Sequence, residues 1–140
     1  MAAVARYLAD TSVFARNRVH EVATVLDPLM TNGLLATCGV LELEVLYSAR
    51  NSADYLALSH GRRVALEWLP TEDVDIRRAL AVQSELAKRG QHRIAWPDLV
   101  IAAVAERHRV TLLHYDADYD LIGEITGQET EWVVPKGSVS

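Results

Sequence analysis

The sequence predicts an α/β domain built on a mainly parallel sheet, and three observations predict it. Short apolar runs alternate with longer amphipathic ones along the chain. Strands spaced by helices are the pattern of a largely parallel sheet. Acidic residues fall where strand-like runs end or helices begin, at Asp10, Glu42 and Glu44, Asp98 and Asp116. That is the edge at which α/β sheets hold their ligands. A chain of 140 residues fits one domain, 1–140, with a real core.

In chain order, "RYLAD" reads as a strand feeding a helix in "TSVFARNRVH". "HEVATVLDPLM" is a helix broken near Pro28. "GLLATC" is a buried strand, and "GVLELEVLYSAR" carries Val40, Leu43, Leu46 and Tyr47 at helical spacing. "SADYLALSHGRRVALEWL" is helical throughout, with Gly61 as a weak point. Thr71 can cap the next helix, "EDVDIRRALAVQSELAKRG", with Ile76, Ala79, Leu80, Gln83, Leu86 and Ala87 as its apolar face. Acids open that helix, Lys88 and Arg89 close it, and Gly90 stops it. "PDLVIAAVAERH" is apolar nearly all round and is therefore covered on most sides. "VTLLHYD" is a strand, "ADYDLIGEIT" a short helix, and "TEWVV" a last strand. Residues 136–140, at the end of "PKGSVS", read as a loose tail.

The composition narrows the class. Hydrophobic residues make up 50% and charged residues 24%, as in a soluble globular protein. No apolar run reaches the ~20 residues that span a bilayer. The start, "MAAVARYLADTSVF", is interrupted by Arg6 and Asp10 and lacks the pattern of a secretory signal. Cys38 is the single cysteine, so no internal disulfide forms, and its apolar setting suits a buried, inert thiol. These features lead to the expectation of a cytoplasmic protein without membrane contact. The net charge of -5 by itself argues weakly against nucleic acid as a partner.

The acids carry the chemistry. "RIAWPDLVIAAVAERH" is built for burial, yet Asp98 stands at its front. A lone acid there could simply complement a helix dipole. Asp10, Glu42 or Glu44, and Asp116 come from three other parts of the chain and meet the same sheet edge if the winding is the usual one. Carboxylates packed together raise one another's pKa, and a hard cation removes the conflict. An all-oxygen set suits Mg²⁺, or Mn²⁺, rather than zinc. His20, His60, His92, His108 and His114 are scattered and form no soft-metal motif. Such a pocket supports phosphodiester hydrolysis by metal-activated water.

Four motifs stand in order along the chain, "YLADTSVF", "GVLELEVLYSAR", "WPDLVIAAVAERH" and "TLLHYDADYDLI". With them the sequence resembles the PIN-domain ribonucleases, in particular the VapC toxins of bacterial toxin-antitoxin pairs. The resemblance implies a PIN-like three-layer α/β/α sandwich and places the acidic set on Asp10, Glu44, Asp98 and Asp116, as catalytic and metal-holding residues. "EVLYS" matches the motif around the second acid, which selects Glu44 and leaves Glu42 as an ordinary solvated helix acid. Thr11 and Ser12 match the pattern and can hydrogen-bond the carboxylates or cap a helix. Asp118 can assist, while Asp120 reads as surface. The chain departs from the pattern at His114, where many relatives carry Thr or Ser. His114 either contacts phosphate or is an ordinary strand histidine, and the second is preferred. Ser48 stands where Gly is frequent.

The resemblance further implies a Mg²⁺- or Mn²⁺-dependent endoribonuclease acting on structured RNA such as tRNA or rRNA. It implies a VapB-like antitoxin, whose Arg or Lys would plug the acidic pocket, and a homodimer. An apolar groove for the antitoxin is expected beside "EVLYSARNSADYLAL", with Leu46, Tyr47, Tyr55 and Leu58 as candidates. Basic residues cluster at Arg62 and Arg63, at Arg77 and Arg78, and in "KRGQHR", where Lys88, Arg89 and Arg93 could hold the RNA backbone. Rival functions fit less well. A haloacid-dehalogenase-type phosphatase needs a second Asp where Ser12 stands. A phospho-receiver needs a Lys at a strand end, and the chain has only Lys88 and Lys136. A catalytically silent binding partner on the same fold would not need the intact acids.

Overall fold

The computed structural model describes residues 4–140. Five strands, β1 (Tyr7–Ala9), β2 (Leu35–Thr37), β3 (Glu67–Trp68), β4 (Thr111–His114) and β5 (Thr130–Trp132), form one sheet in the order β3-β2-β1-β4-β5. Every pairing is parallel. Seven helices connect them: α1 (Thr11–Phe14), α2 (His20–Thr31), α3 (Gly39–Tyr47), α4 (Ser52–Ala65), α5 (Asp73–Ala87), α6 (Trp96–His108) and α7 (Asp118–Thr126).

The strands are buried on both faces, and side-chain alternation sorts them into two cores. Leu8, Ala36 and Leu112 point to one face and pack with residues of α3, α5, α6 and α7. Ala9, Leu35 and Leu113 point to the other and pack with Val13, Val22 and Leu26 of α1 and α2. The result is the expected three-layer α/β/α sandwich. Asp98 through Ala105 of α6 are all buried, as an all-round apolar helix requires. Arg109 caps α6 in the left-handed conformation (φ 57°), and Val110 N–H closes back on Ala105 O at 3.1 Å. That turn delivers the chain to β4.

Several local expectations change. β3 was hidden inside an apparent helix: Leu66 leaves helical geometry, and Glu67 and Trp68 pair with Ala36 and Thr37. α1 is a single turn rather than a helix through His20. α2 continues through Pro28, because the missing bond there falls on exposed Thr24, where water can satisfy the carbonyl. Gly61 does not interrupt α4. α5 is capped by Glu72, which exchanges hydrogen bonds with Asp75 in a capping box, and not by Thr71. Its buried face is Asp75, Ala79, Val82 and Leu86, which leaves Ile76 and Leu80 exposed.

Residues 136–140 make specific contacts. The Tyr115 hydroxyl donates to Val139 O at 2.8 Å and accepts from Gly137 N at 2.9 Å. Arg16 stacks over the Tyr115 ring and donates to Ser140 O at 3.0 Å. Among the described residues no helix is long and apolar enough to cross a membrane.

Candidate metal centre

The strand order creates the site. From β1 the chain winds outward to β2 and β3, then jumps to β4 on the other side of β1. Between β1 and β4 the flanking connections part in opposite directions, which opens a crevice at the carboxyl ends. Asp10 directly follows β1, and Asp116 stands two residues beyond β4. Each acid is placed by its own backbone turn. Asp10 caps α1, with its Oδ2 accepting Ser12 N–H at 3.0 Å. Asp116 Oδ1 accepts Asp118 N–H at 2.9 Å. Glu44 projects from α3, and its Oε1 accepts the Thr11 hydroxyl at 3.1 Å. Asp98 enters from the first turn of α6, behind Pro97.

Asp10, Glu44 and Asp98 each offer an oxygen within 4.8 Å of the others, and so do Asp98, Asp116 and Asp118. Asp98 belongs to both groups and is the hub. Asp10 and Asp98 are buried. Among the described residues no lysine or arginine pairs with Asp10, Glu44, Asp98 or Asp116. Burial, then the charges of Asp10, Asp116 and Glu44, push the Asp98 carboxyl up to about 8. Glu44 is raised by burial and by Asp10, against the Thr11 hydrogen bond, and Asp118 by burial and Asp116. Buried, converging carboxylates without a cationic partner are the donor set that a hard divalent cation satisfies. The two overlapping groups, Asp10 with Glu44 and Asp98, and Asp98 with Asp116 and Asp118, fit such an ion.

The remaining sequence candidates fall into distinct places. Ser12 Oγ accepts Tyr115 N–H at 2.9 Å, so Ser12 ties the loop after β1 to the loop after β4. His114 is wholly buried, and its Nδ1 accepts Asp116 N–H at 3.2 Å. It touches the site through the Asp116 backbone and presents no surface to a phosphate. Burial holds its imidazole below the usual range, although Asp120, Asp10 and Asp116 pull the other way. Asp120 accepts the Trp132 indole N–H at 3.1 Å. Lys88 pairs with Glu85 at 2.9 Å and Arg89 with Glu124 at 3.1 Å, both at the surface, and Arg93 is exposed.

Glu42 is not the solvated acid expected from sequence. It grips Arg62 through both oxygens, at 2.7 Å for the shortest contact, and accepts the Thr37 hydroxyl. Arg62, grouped in sequence with the basic clusters, is buried beneath Phe14. Cys38 is buried as expected, and burial pushes its thiol up to about 11. Sequence reasoning missed Tyr119. It is fully buried, and its hydroxyl donates to Asp10 Oδ1 at 2.6 Å and lies 3.2 Å from Asp98 Oδ1. Its spacing of three from Ile122 marks the inward face of α7, the one signal that could have found it.

Comparisons with known proteins agree with this architecture. Residues 7–125 match the PIN domain. The chain is 46% identical to Ribonuclease VapC21 of Mycobacterium tuberculosis over 134 residues, covering 95% of this chain and 97% of that protein. It is 41% identical to Ribonuclease VapC51 of the same organism, covering 96% and 97% respectively. A crystal structure of VapBC-5, a member of the VapBC family of toxin-antitoxin systems from M. tuberculosis, superposes with a TM-score of 0.66. There the identity is 25%, over 91% of this chain and 98% of that one. An acidic crevice at the switch point of a parallel sheet, and this degree of identity over almost the full length, place the chain in the PIN-domain family, among the VapC proteins.

Proposed function

We propose that this protein is a VapC-type toxin, an endoribonuclease that hydrolyses RNA phosphodiester bonds at the cluster of Asp10, Glu44, Asp98 and Asp116. The observation that carries this reading is the set of carboxylates, brought from four elements, that no cationic side chain among the described residues neutralises. A bound Mg²⁺ or Mn²⁺ would lower the pKa of a water molecule and offset charge on the phosphate oxygens. The chain itself fixes the donors. Ser12 N–H and the Tyr119 hydroxyl orient Asp10, Thr11 orients Glu44, and the turn at Asp118 orients Asp116. The substrate class we infer is structured RNA, tRNA or rRNA, cut in a loop where nucleotides are unstacked. The reaction would take place in the cytoplasm, where these RNAs are.

The partner is a VapB-like antitoxin, a reading supported by the toxin-antitoxin assignment of the 25%-identical relative. A cavity of about 380 Å³ between α1, α2 and α4 suits an apolar antitoxin segment, with Phe14, Leu26, Met30 and Leu58 in its wall. Leu58 alone of the four expected groove residues lines it. An Arg of the antitoxin can then bond the acidic cluster bidentately. Homodimerisation is the expected assembly, and the exposed Leu43, Tyr47, Leu80 and Trp96 supply apolar surface for it.

The test is cleavage of total tRNA and rRNA by the isolated protein, with Mg²⁺, with Mn²⁺ and with excess chelator. Site-specific cuts that need the metal and vanish on addition of the co-expressed antitoxin are expected. Full cleavage in chelator, or by the antitoxin complex, would remove the reading. Absence of cleavage under every condition would favour a catalytically silent PIN-fold partner.

A further inference from the structure

We infer that Tyr119 is a positioning residue of the metal centre, its hydroxyl tying Asp10 to Asp98 and setting the spacing of the two carboxylates. The inference rests on the metal-centre reading above and adds to it a residue from outside the acidic set. A tyrosine buried this completely must find a polar partner for its hydroxyl. The partners it finds are Asp10 Oδ1, at 2.6 Å, and Asp98 Oδ1, at 3.2 Å. Phenylalanine would fill the same space without that requirement, so the hydroxyl serves the site and not the packing.

The geometry gives it leverage. Tyr119 lies in the first turn of α7, where its N–H donates to Asp116 O at 3.1 Å. Its ring packs against His114, with centroids 5.2 Å apart. One rigid side chain, anchored beside Asp116, thus reaches the acid after β1 and the acid that opens α6. A hydroxyl has a single proton to donate. The shorter distance assigns it to Asp10, whose other oxygen already takes Ser12 N–H. Asp98 Oδ1, at 3.2 Å, takes only the longer and weaker arm of this shared bond, which leaves the carboxylate's lone pairs for the ion.

The experiment is Mn²⁺ titration by calorimetry of the wild type and of Tyr119→Phe. Removing a partner that orients a ligand weakens metal binding roughly 10- to 100-fold, and that loss is expected here. Cleavage should fall at low Mn²⁺ and recover at saturating Mn²⁺, a shift in metal dependence with kcat retained. Ile122→Val, a buried change on the same helix, thins the packing and should leave Mn²⁺ affinity within about twofold, because it removes no hydrogen bond. Equal or tighter Mn²⁺ binding by Tyr119→Phe, or an equal loss in Ile122→Val, overturns the inference while leaving the metal centre intact. A wild type that binds no Mn²⁺ overturns both. Should Tyr119→Phe fold poorly, tyrosine Cζ-labelled wild type supplies the second measurement. The resonance of the single fully buried tyrosine should move when Mg²⁺ is added, and an unmoved resonance overturns the inference.

Discussion

Asp75 and Asp98 are both buried, at 1% and 7% exposure, yet their surroundings push them in opposite directions. Asp75 sits in a full set of donors. Arg107 Nε and Nη2 reach it at 2.8 and 3.0 Å, and Glu72 N–H completes the capping box at 2.9 Å. Burial alone would raise its carboxyl, but the Arg107 bonds and the Glu72 N–H outweigh burial and hold it below the usual carboxylate range. Asp98 has a shared hydroxyl at 3.2 Å, three acidic neighbours, and a carboxyl pushed up to about 8. Among the described residues a cation meets the acid that holds α5 and α6 together, and none meets the acid at the crevice. Glu42 and Glu44, on the same helix, repeat the contrast: the first grips Arg62, the second accepts a threonine hydroxyl.

The contrast breaks hardest at Asp98. Asp98→Asn keeps the shape and the helix start but removes the hub of the donor set. Cleavage should fall about 10³-fold or more, since several kcal/mol of electrostatic stabilisation is at stake. In chelator the variant should be as stable as the wild type, or more so, because the neutral amide never has to choose between holding a proton and repelling its acidic neighbours. The pH dependence follows the same logic. A carboxyl raised to about 8 keeps its proton in the folded chain after the unfolded chain has lost it. In chelator, stability should therefore fall as pH rises from about 4 through about 8, the opposite of a salt-bridged acid. Urea midpoints across that range should show the slope in the wild type, and both Mg²⁺ and Asp98→Asn should flatten it. A wild type in chelator whose stability is level across this range would contradict the account of Asp98.

Arg107→Ala tests the other half. It strands Asp75 as a buried charge with no cation, which costs roughly 3 kcal/mol, read as a lower urea midpoint. Cleavage per folded molecule should not change. A smaller effect is expected for Glu42→Gln. The amide keeps a contact with Arg62 but loses the charge, at about 1–2 kcal/mol, with Mn²⁺ affinity unaltered. Glu44→Gln should reverse the pattern, weakening Mn²⁺ binding and sparing stability. If both variants lose metal and neither loses stability, the division between the two glutamates is wrong.

The layer architecture and the acidic positions were legible because they rest on periodicity and on residue type. Burial of the run after Asp98 announced α6, and acids at strand ends announced the crevice. What was not legible depended on tertiary contact. β3 has two residues, too few for an alternation to register, and its pairing with β2 decides its conformation. α5 carries apolar residues on two faces, so Ile76 and Leu80 looked like core beside Ala79 and Leu86, whereas the structure buries Val82 with the latter two. Arg62 looked like a surface base because nothing local shows that Glu42 lies across from it. Tyr119 was hidden by its own type, since an aromatic on a helix face reads as packing until its hydroxyl is traced to two carboxylates.

The smallest effects belong to the surface cations, and they sharpen the comparison from outside. Lys88 and Arg89 have acidic partners, Glu85 and Glu124, but these pairs are largely exposed and contribute little. Lys88→Ala, Arg89→Ala and Arg93→Ala should each change stability by no more than about 0.5 kcal/mol. Unlike Arg107, they are available to exchange their partners for phosphate. If the segment leading into Asp98 carries the RNA backbone, each substitution should weaken RNA binding while leaving Mn²⁺ affinity unchanged. The slope of log affinity against log salt should become shallower by about 0.7 for each single-strand phosphate that the variant no longer neutralises. Binding measured at several salt concentrations with a chelated, cleavage-silent Asp98→Asn background reads this directly. An unchanged slope for all three would assign them to the solvated end of α5, and the RNA would have to enter the crevice by another side.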